Sequence, residues 1–308
     1  MGFFKKSSRQ NYDIWSGYSW YVPRVSGMFA LLGWLLVGAL AGNIVASVFL
    51  FIPGLGDTTG YANIVAYPVM FIPAMIYAKM KSNRNMMFEK GVAIDSDNYG
   101  RTGGWIAAAA AIVSTLALAF NMDAVNRLMP PMPEMLENIL NSLVKGNFWL
   151  NFLSVSIFAP IFEEWLCRGM VLRGLLNATR PDGSTMKPAW AIIISSLFFA
   201  VIHMNPWQAI PAFALGCLFG YVYYRTGSLK LTMLMHFTNN TFALIMSQSD
   251  TMAETETWLD LMPAWLYWII FAAFTLLIAL IVRVFARIPS AGANGGCREI
   301  PEGEIDTK

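Results

Sequence analysis

Five ionisable side chains interrupt stretches of this chain that are otherwise apolar. Glu163, Glu164 and Arg168 stand in IFEEWLCRG, residues 161–169, His203 in FFAVIHMNP and His236 in LTMLMHFTNN. These are the only two histidines in the sequence. An acidic residue at the centre of a membrane helix costs about 2.5–3.5 kcal/mol even on the lenient insertion scale, so such residues are expected to face a bundle interior and to serve a function. A buried glutamate beside a histidine is a general base for water. A second histidine with an amide, here His236 and Asn240, can donate hydrogen bonds to an oxyanion. Glu163 with both histidines could equally hold zinc and leave a water site open. Both readings are hydrolysis by activated water, and the sequence leaves the cofactor open between zinc and none. No serine-nucleophile motif and no HExxH pattern is present.

Spacing distinguishes the two glutamates. Residues four apart share a helix face, so Glu164 can be neutralised by Arg168 within its own helix. Glu163 lies about 100° round the helix and has no such partner. The bland reading of Glu164–Arg168 is a helix-stabilising pair, and that of His236 with Asn240 is an interhelical clasp. Depth links the three segments. Glu163 is ten residues from Arg173, or ~15 Å along a helix; His203 is ~16 Å from an entry near Ile192 and His236 ~12 Å from one near Ser228.

The elements that must position these residues are membrane spans. Of 308 residues, 56% are hydrophobic and 13% charged, against about 25% charged in soluble domains. Runs of the length a bilayer requires are expected at about 27–52, 62–78, 104–120, 148–172, 190–206, 208–224, 230–248 and 264–286. With eight spans and cytoplasmic termini, all of the 21 Lys and Arg except Arg127 and Lys145 fall in cytoplasmic segments or the helix ends beside them, as the positive-inside rule demands. Lys5, Lys6, Arg9, Arg180, Arg298 and Lys308 belong to that basic side. The expected organisation is a cytoplasmic N-terminal segment at 1–26, a transmembrane domain at 27–289 and a disordered cytoplasmic tail at 290–308. Gly38 and Gly42 have the GxxxG spacing of a close-packing face, or a chance lipid-facing one. Residues 133–145 put Met135, Leu136, Ile139, Leu140, Leu143 and Val144 on one stripe, a short helix on the membrane interface or a lid on the bundle. The loop at 249–263 carries Asp250, Glu254, Glu256 and Asp260 and no basic residue. Cys167, Cys217 and Cys297 suggest no disulfide framework.

Three motifs then match a known family. EEWLCRG fits EExxxR, FAVIH at 199–203 fits FxxxH, and HFTNN at 236–240 fits HxxxN. In that order and on those helices, residues 148–248 resemble the CPBP family, the CAAX-protease and bacteriocin-processing (Abi) membrane enzymes. The resemblance implies an all-α, polytopic, CAAX-protease-like bundle of about eight transmembrane helices with its catalytic core at about 148–248. It implies an endopeptidase of the cell membrane, glutamate- or metal-dependent, cleaving a peptide bond near the cytoplasmic side. By it, Glu163 and His203 activate water, His236 and Asn240 bind the oxyanion, and Glu164 and Arg168 shape the site. Its partners would be a peptide or membrane-protein substrate, lipidated or not, and the lipid bilayer, with no nucleic acid. The competing readings are a non-catalytic binding or immunity scaffold and a proton-coupled transporter. The latter favours broken helices and inverted repeats; no repeat is evident in the sequence.

Overall fold

The computed structural model describes residues 14–49, 51–52, 57–144, 146–179, 183–249 and 257–288. The tail at 290–308, Lys5, Lys6, Arg9, Lys145, Arg180, Asp250, Glu254, Glu256, Cys297, Arg298 and Lys308 lie outside them. The described residues form nine main helices: α1 Val25–Phe49, α2 Thr58–Asn85, α3 Gly104–Asn126, α4 Glu134–Val144, α5 Phe148–Asn177, α6 Pro188–Val201, α7 Pro206–Thr226, α8 Leu229–Met246 and α9 Ala264–Ala286. All but α4 fall on the eight expected spans. Five of them, α1, α2, α3, α5 and α9, are long and apolar enough to cross a bilayer by length and composition. The remaining three are short or diluted by polar residues that the cavity uses. The result is an all-helical, multi-pass membrane protein, as the composition requires.

Alternation of direction gives the bundle two ends. One end holds Lys79, Lys81, Arg84, Lys90, Arg101, Lys187, Arg225, Lys230, Arg283 and Arg287. The other holds α4, Arg127 and the starts of α2, α5, α7 and α9. At this second end Asp57 caps α2 by accepting from Gly60 N at 2.9 Å and also accepts from Asn147 N at 2.8 Å. Those two hydrogen bonds hold its carboxyl below the usual carboxylate range and join the beginnings of α2 and α5. Asn147 in turn caps α5, accepting from Trp149 N at 2.9 Å.

The basic end is closed by chain. Residues 15–23 and 92–97 lie across it, and the fully buried Arg173 of α5 ties them down. Its guanidinium donates to the carbonyls of Val92 and Tyr21, both at 2.6 Å, and to that of Ser19 at 3.2 Å. Tyr223 of α7 donates to Ile94 O at 2.7 Å. A Cβ on Gly174 would stand 2.3 Å from Pro23 O, so this plug sits directly on α5. Asp95 accepts from Leu229 N at 2.8 Å and pairs with Lys230 at 2.8 Å, which fixes the start of α8.

The glycine spacing in α1 is a packing face. A Cβ on Gly38 would meet Met70 O at 1.8 Å, and one on Gly42 would meet Ala66 O at 2.8 Å; only glycine lets these two backbones approach so closely. α4 settles between the two readings of its stripe. It packs on α2 and the start of α5 and turns Leu140 and Asn141 toward an interior cavity, while Met135 stays exposed. Arg168, counted with the basic helix ends, is instead fully buried in the bundle.

Candidate active site

α5 presents the glutamates. Pro160 has no N–H to continue the α-helical ladder, and the helix widens to π geometry over Phe152–Phe158 immediately before it. A second π stretch spans Trp165–Leu172. Between them Ala159–Glu164 is α-helical. Wide turns of this kind gather at functional sites, and here they bracket Glu163 and Glu164.

Glu164 and Arg168 are both fully buried, with Arg168 Nη1 donating to Glu164 Oε1 at 2.7 Å. The guanidinium also donates to Gly216 O at 3.2 Å and lies 4.7 Å from the Phe199 ring centre and 5.4 Å from that of Phe219. The expected intrahelical pair is therefore present. It has a second partner that spacing did not reveal: His236 Nδ1 lies 3.0 Å from the same Oε1. Because a carboxylate only accepts, Nδ1 carries the proton in that bond, and Nε2 is the nitrogen left to the cavity. Glu164 thus orients the histidine as the acid of a triad does.

Glu163 faces the other way. Tyr67 of α2 donates its hydroxyl to Glu163 Oε1. Oε2 is buried without a hydrogen-bond partner and stands 3.9 Å from His236 Nε2. Tyr67 lies outside all three motifs. Nothing distinguished it among the eleven tyrosines of the sequence except its place in a span next to Pro68.

His203 lies beyond the end of the helix expected to carry it. That span was read as 190–206, but α6 ends at Val201, and His203 sits in the turn to α7. Pro206 disfavours helix at the residue before it, and Asn205 is extended and caps α7 by accepting from Gln208 N at 2.9 Å. Asn205 also donates to His203 O at 2.9 Å. Met204 takes φ 54°, a left-handed conformation uncommon for a non-glycine residue. The imidazole is held by its Nδ1, 2.8 Å from Phe199 O, and its ring packs edge-on against Phe199 at 5.0 Å. Asn240, one turn beyond His236, donates to Val155 O at 2.9 Å and accepts from Asn239 at 3.1 Å.

Glu163, His203, His236 and Asn240 all line one cavity of about 690 Å³, together with Tyr67. Glu164 and Arg168 stand behind it, beneath His236. Most of the other lining residues come from the second halves of α1, α3, α6 and α8 and the first halves of α2, α5 and α7, with Leu140 and Asn141 added by α4. The cavity therefore occupies the half of the bundle away from the basic end. Helical depth indicated how far in these residues lie but not which way the space beside them runs, and that space runs from Glu163 away from the basic end. Among the described residues no three His, Cys, Asp or Glu side chains gather as metal ligands. The zinc set of Glu163, His203 and His236 does not assemble in this arrangement.

Fold and site define a multi-pass, all-helical membrane protein with an acid–histidine cavity, and sequence comparison agrees. Residues 145–242 match the family model for Type II CAAX prenyl endopeptidase Rce1-like proteins. The chain is 33% identical over 92 residues to the membrane-embedded CAAX protease MroQ of Staphylococcus aureus (strain USA300), covering 30% of this chain and 36% of that protein. It is 32% identical over 110 residues to the UPF0177 protein YaiF of Lactococcus lactis subsp. lactis (strain IL1403), covering 35% of this chain and 44% of that one. The matches thus span well under two thirds of either relative. No solved structure gives a significant match. The CPBP resemblance read from the three motifs holds over this segment, which is CAAX-protease-like.

Proposed function

We propose that the protein is an intramembrane endopeptidase that hydrolyses a peptide bond with water activated by Glu163. The observation that carries this reading is Glu163 Oε2, buried without a partner and facing His236 Nε2 across 3.9 Å. That gap suits an attacking water on the carboxylate beside a carbonyl oxygen on the imidazole. In the reaction Glu163 takes a proton as the water oxygen bonds to the carbonyl carbon. For His236 to donate from Nε2 to the developing oxyanion while Nδ1 donates to Glu164, this step requires a proton on each ring nitrogen, and Asn240 adds the second N–H of its amide. Glu163 then passes its proton to the leaving nitrogen as the C–N bond breaks. His203 steadies the water from the turn after α6, as the family resemblance implies. Tyr67 holds the other oxygen of Glu163, and Glu164 with Arg168 holds His236.

Substrates are peptides or membrane-protein segments. MroQ is described as a CAAX protease, which supports proteolysis but leaves lipidated and unlipidated substrates both admissible. The basic end is cytoplasmic in this reading, because the positive-inside rule is obeyed with so few exceptions. A transporter reading is weaker: the π stretches of α5 by themselves are compatible with it, but an unpartnered carboxylate oxygen facing an oriented imidazole suits hydrolysis. Quantitative analysis of peptide termini in membranes expressing the wild type or Glu163→Gln tests the proposal. New termini should appear with the wild type only; identical sets of termini would reject it.

A further inference from the structure

Two features of the cavity set the route by which a substrate arrives. The first is closure. Arg173 and Tyr223 bind residues 15–23 and 92–97 across the basic end, and Gly174 meets Pro23 with no room for a side chain. Trp165, fully buried, packs against Tyr18 at 5.3 Å in the same plug. The second is the wall. From the level of Glu163 the cavity extends along α1, α2, α3 and α8 to Asn126, Ser247 and, on α4, Asn141. Asn43, Asn63, Asn126, Asn141 and Asn151 contribute amides to it from five different helices. Among the described residues its lining contains no Lys, Arg or Asp, and Glu163 is its only acid.

Amides both donate and accept, which is what an extended peptide backbone needs when it leaves water. Among the described lining residues an ionised side chain would find no counter-charge except the residues of the reaction itself, and unpaired burial of charge is costly. Resting on the proteolytic reading above, we infer that the substrate reaches Glu163 from the extracytoplasmic side, as an extended segment with uncharged side chains lodged against the asparagine wall.

Cysteine accessibility tests this without turnover. In a protein with Cys217 and Cys297 replaced by serine, and Cys167 left buried, Ser247→Cys and Ala243→Cys place a thiol on the outer cavity wall; Lys81→Cys places one at the basic end. A membrane-impermeant maleimide should label the first two in intact cells, and Lys81→Cys only in inverted vesicles. A blocked alanine–leucine peptide should slow labelling of Ala243→Cys, and the same peptide with a central lysine or aspartate should be at least about tenfold weaker. Labelling of both wall cysteines only in inverted vesicles, or of neither from either side in folded protein, overturns the route. Equal protection by charged and neutral peptides overturns the substrate class. A protein that labels as expected but cleaves nothing would instead sink the proteolytic reading and leave the access route standing.

Discussion

At the scale of single residues the account turns on what each glutamate oxygen touches. Glu163 Oε1 takes a hydrogen bond from Tyr67, which leaves Oε2 as the only oxygen free for water. Tyr67→Phe keeps the ring that packs on Phe71 at 5.6 Å and removes only the donor. A hydrogen bond to a charged group is worth about 1.5–3 kcal/mol, so kcat should fall roughly 10- to 100-fold with thermal stability little changed. A large loss of stability with normal turnover would mean that Tyr67 is only structural. Glu164 has a different fate. It anchors both Arg168 and His236, so Glu164→Gln strands a buried guanidinium and releases the imidazole. Removing one partner of a buried pair costs about 3–5 kcal/mol. Thermal unfolding in detergent should show a clear fall in midpoint together with lost activity; an unchanged midpoint would contradict the pairing.

At the scale of elements, the helices were legible because apolar length and charge placement are strong signals. A helix stands at each of the eight expected positions, five of them long and apolar enough to cross a bilayer, and the short helix after Pro133 is present. What was not legible depended on contacts between helices. The Glu164–His236 bond joins residues 72 apart, and Tyr67 comes to Glu163 from 96 residues away. No spacing rule reports such pairs. The early end of α6 was in principle readable, since Asn205–Pro206 carries a helix-stop and a helix-start signal, but a run of apolar residues outweighed it. The α1–α2 contact offers its own test. Gly38→Leu must push the helices apart or distort them where a Cβ would lie 1.8 Å from Met70 O. Overpacking typically costs about 1–3 kcal/mol, so the variant should lose thermal stability while the outward-facing Gly33→Leu, with nothing near its Cβ, should not.

At the scale of the molecule, the charge asymmetry that suggested orientation also marks the closed end of the bundle. The same segments that carry Lys90 and Arg101 lead into the plug held by Arg173. Reporter fusions after Lys81 and after Lys308 should read cytoplasmic, and one after Asp260 external. An external C-terminus would overturn the eight-span arrangement. The motifs identified which residues meet in the bundle, since Glu163, His203, His236 and Asn240 share a cavity. They could not show that this cavity lies in the half away from the basic charges, because that depends on how α1, α3 and α4, outside the motif region, enclose it.

The most direct measurement is cleavage by purified protein in detergent or liposomes, using a substrate found by comparing membrane peptide termini, with wild type and Glu163→Gln matched for folding by their thermal midpoints. A positioned general base contributes about 10²–10⁴-fold. The variant should therefore lose at least that much turnover at an unchanged midpoint and still bind the peptide. Turnover within a few-fold of wild type in well-folded Glu163→Gln would contradict the assignment of Glu163 as the base.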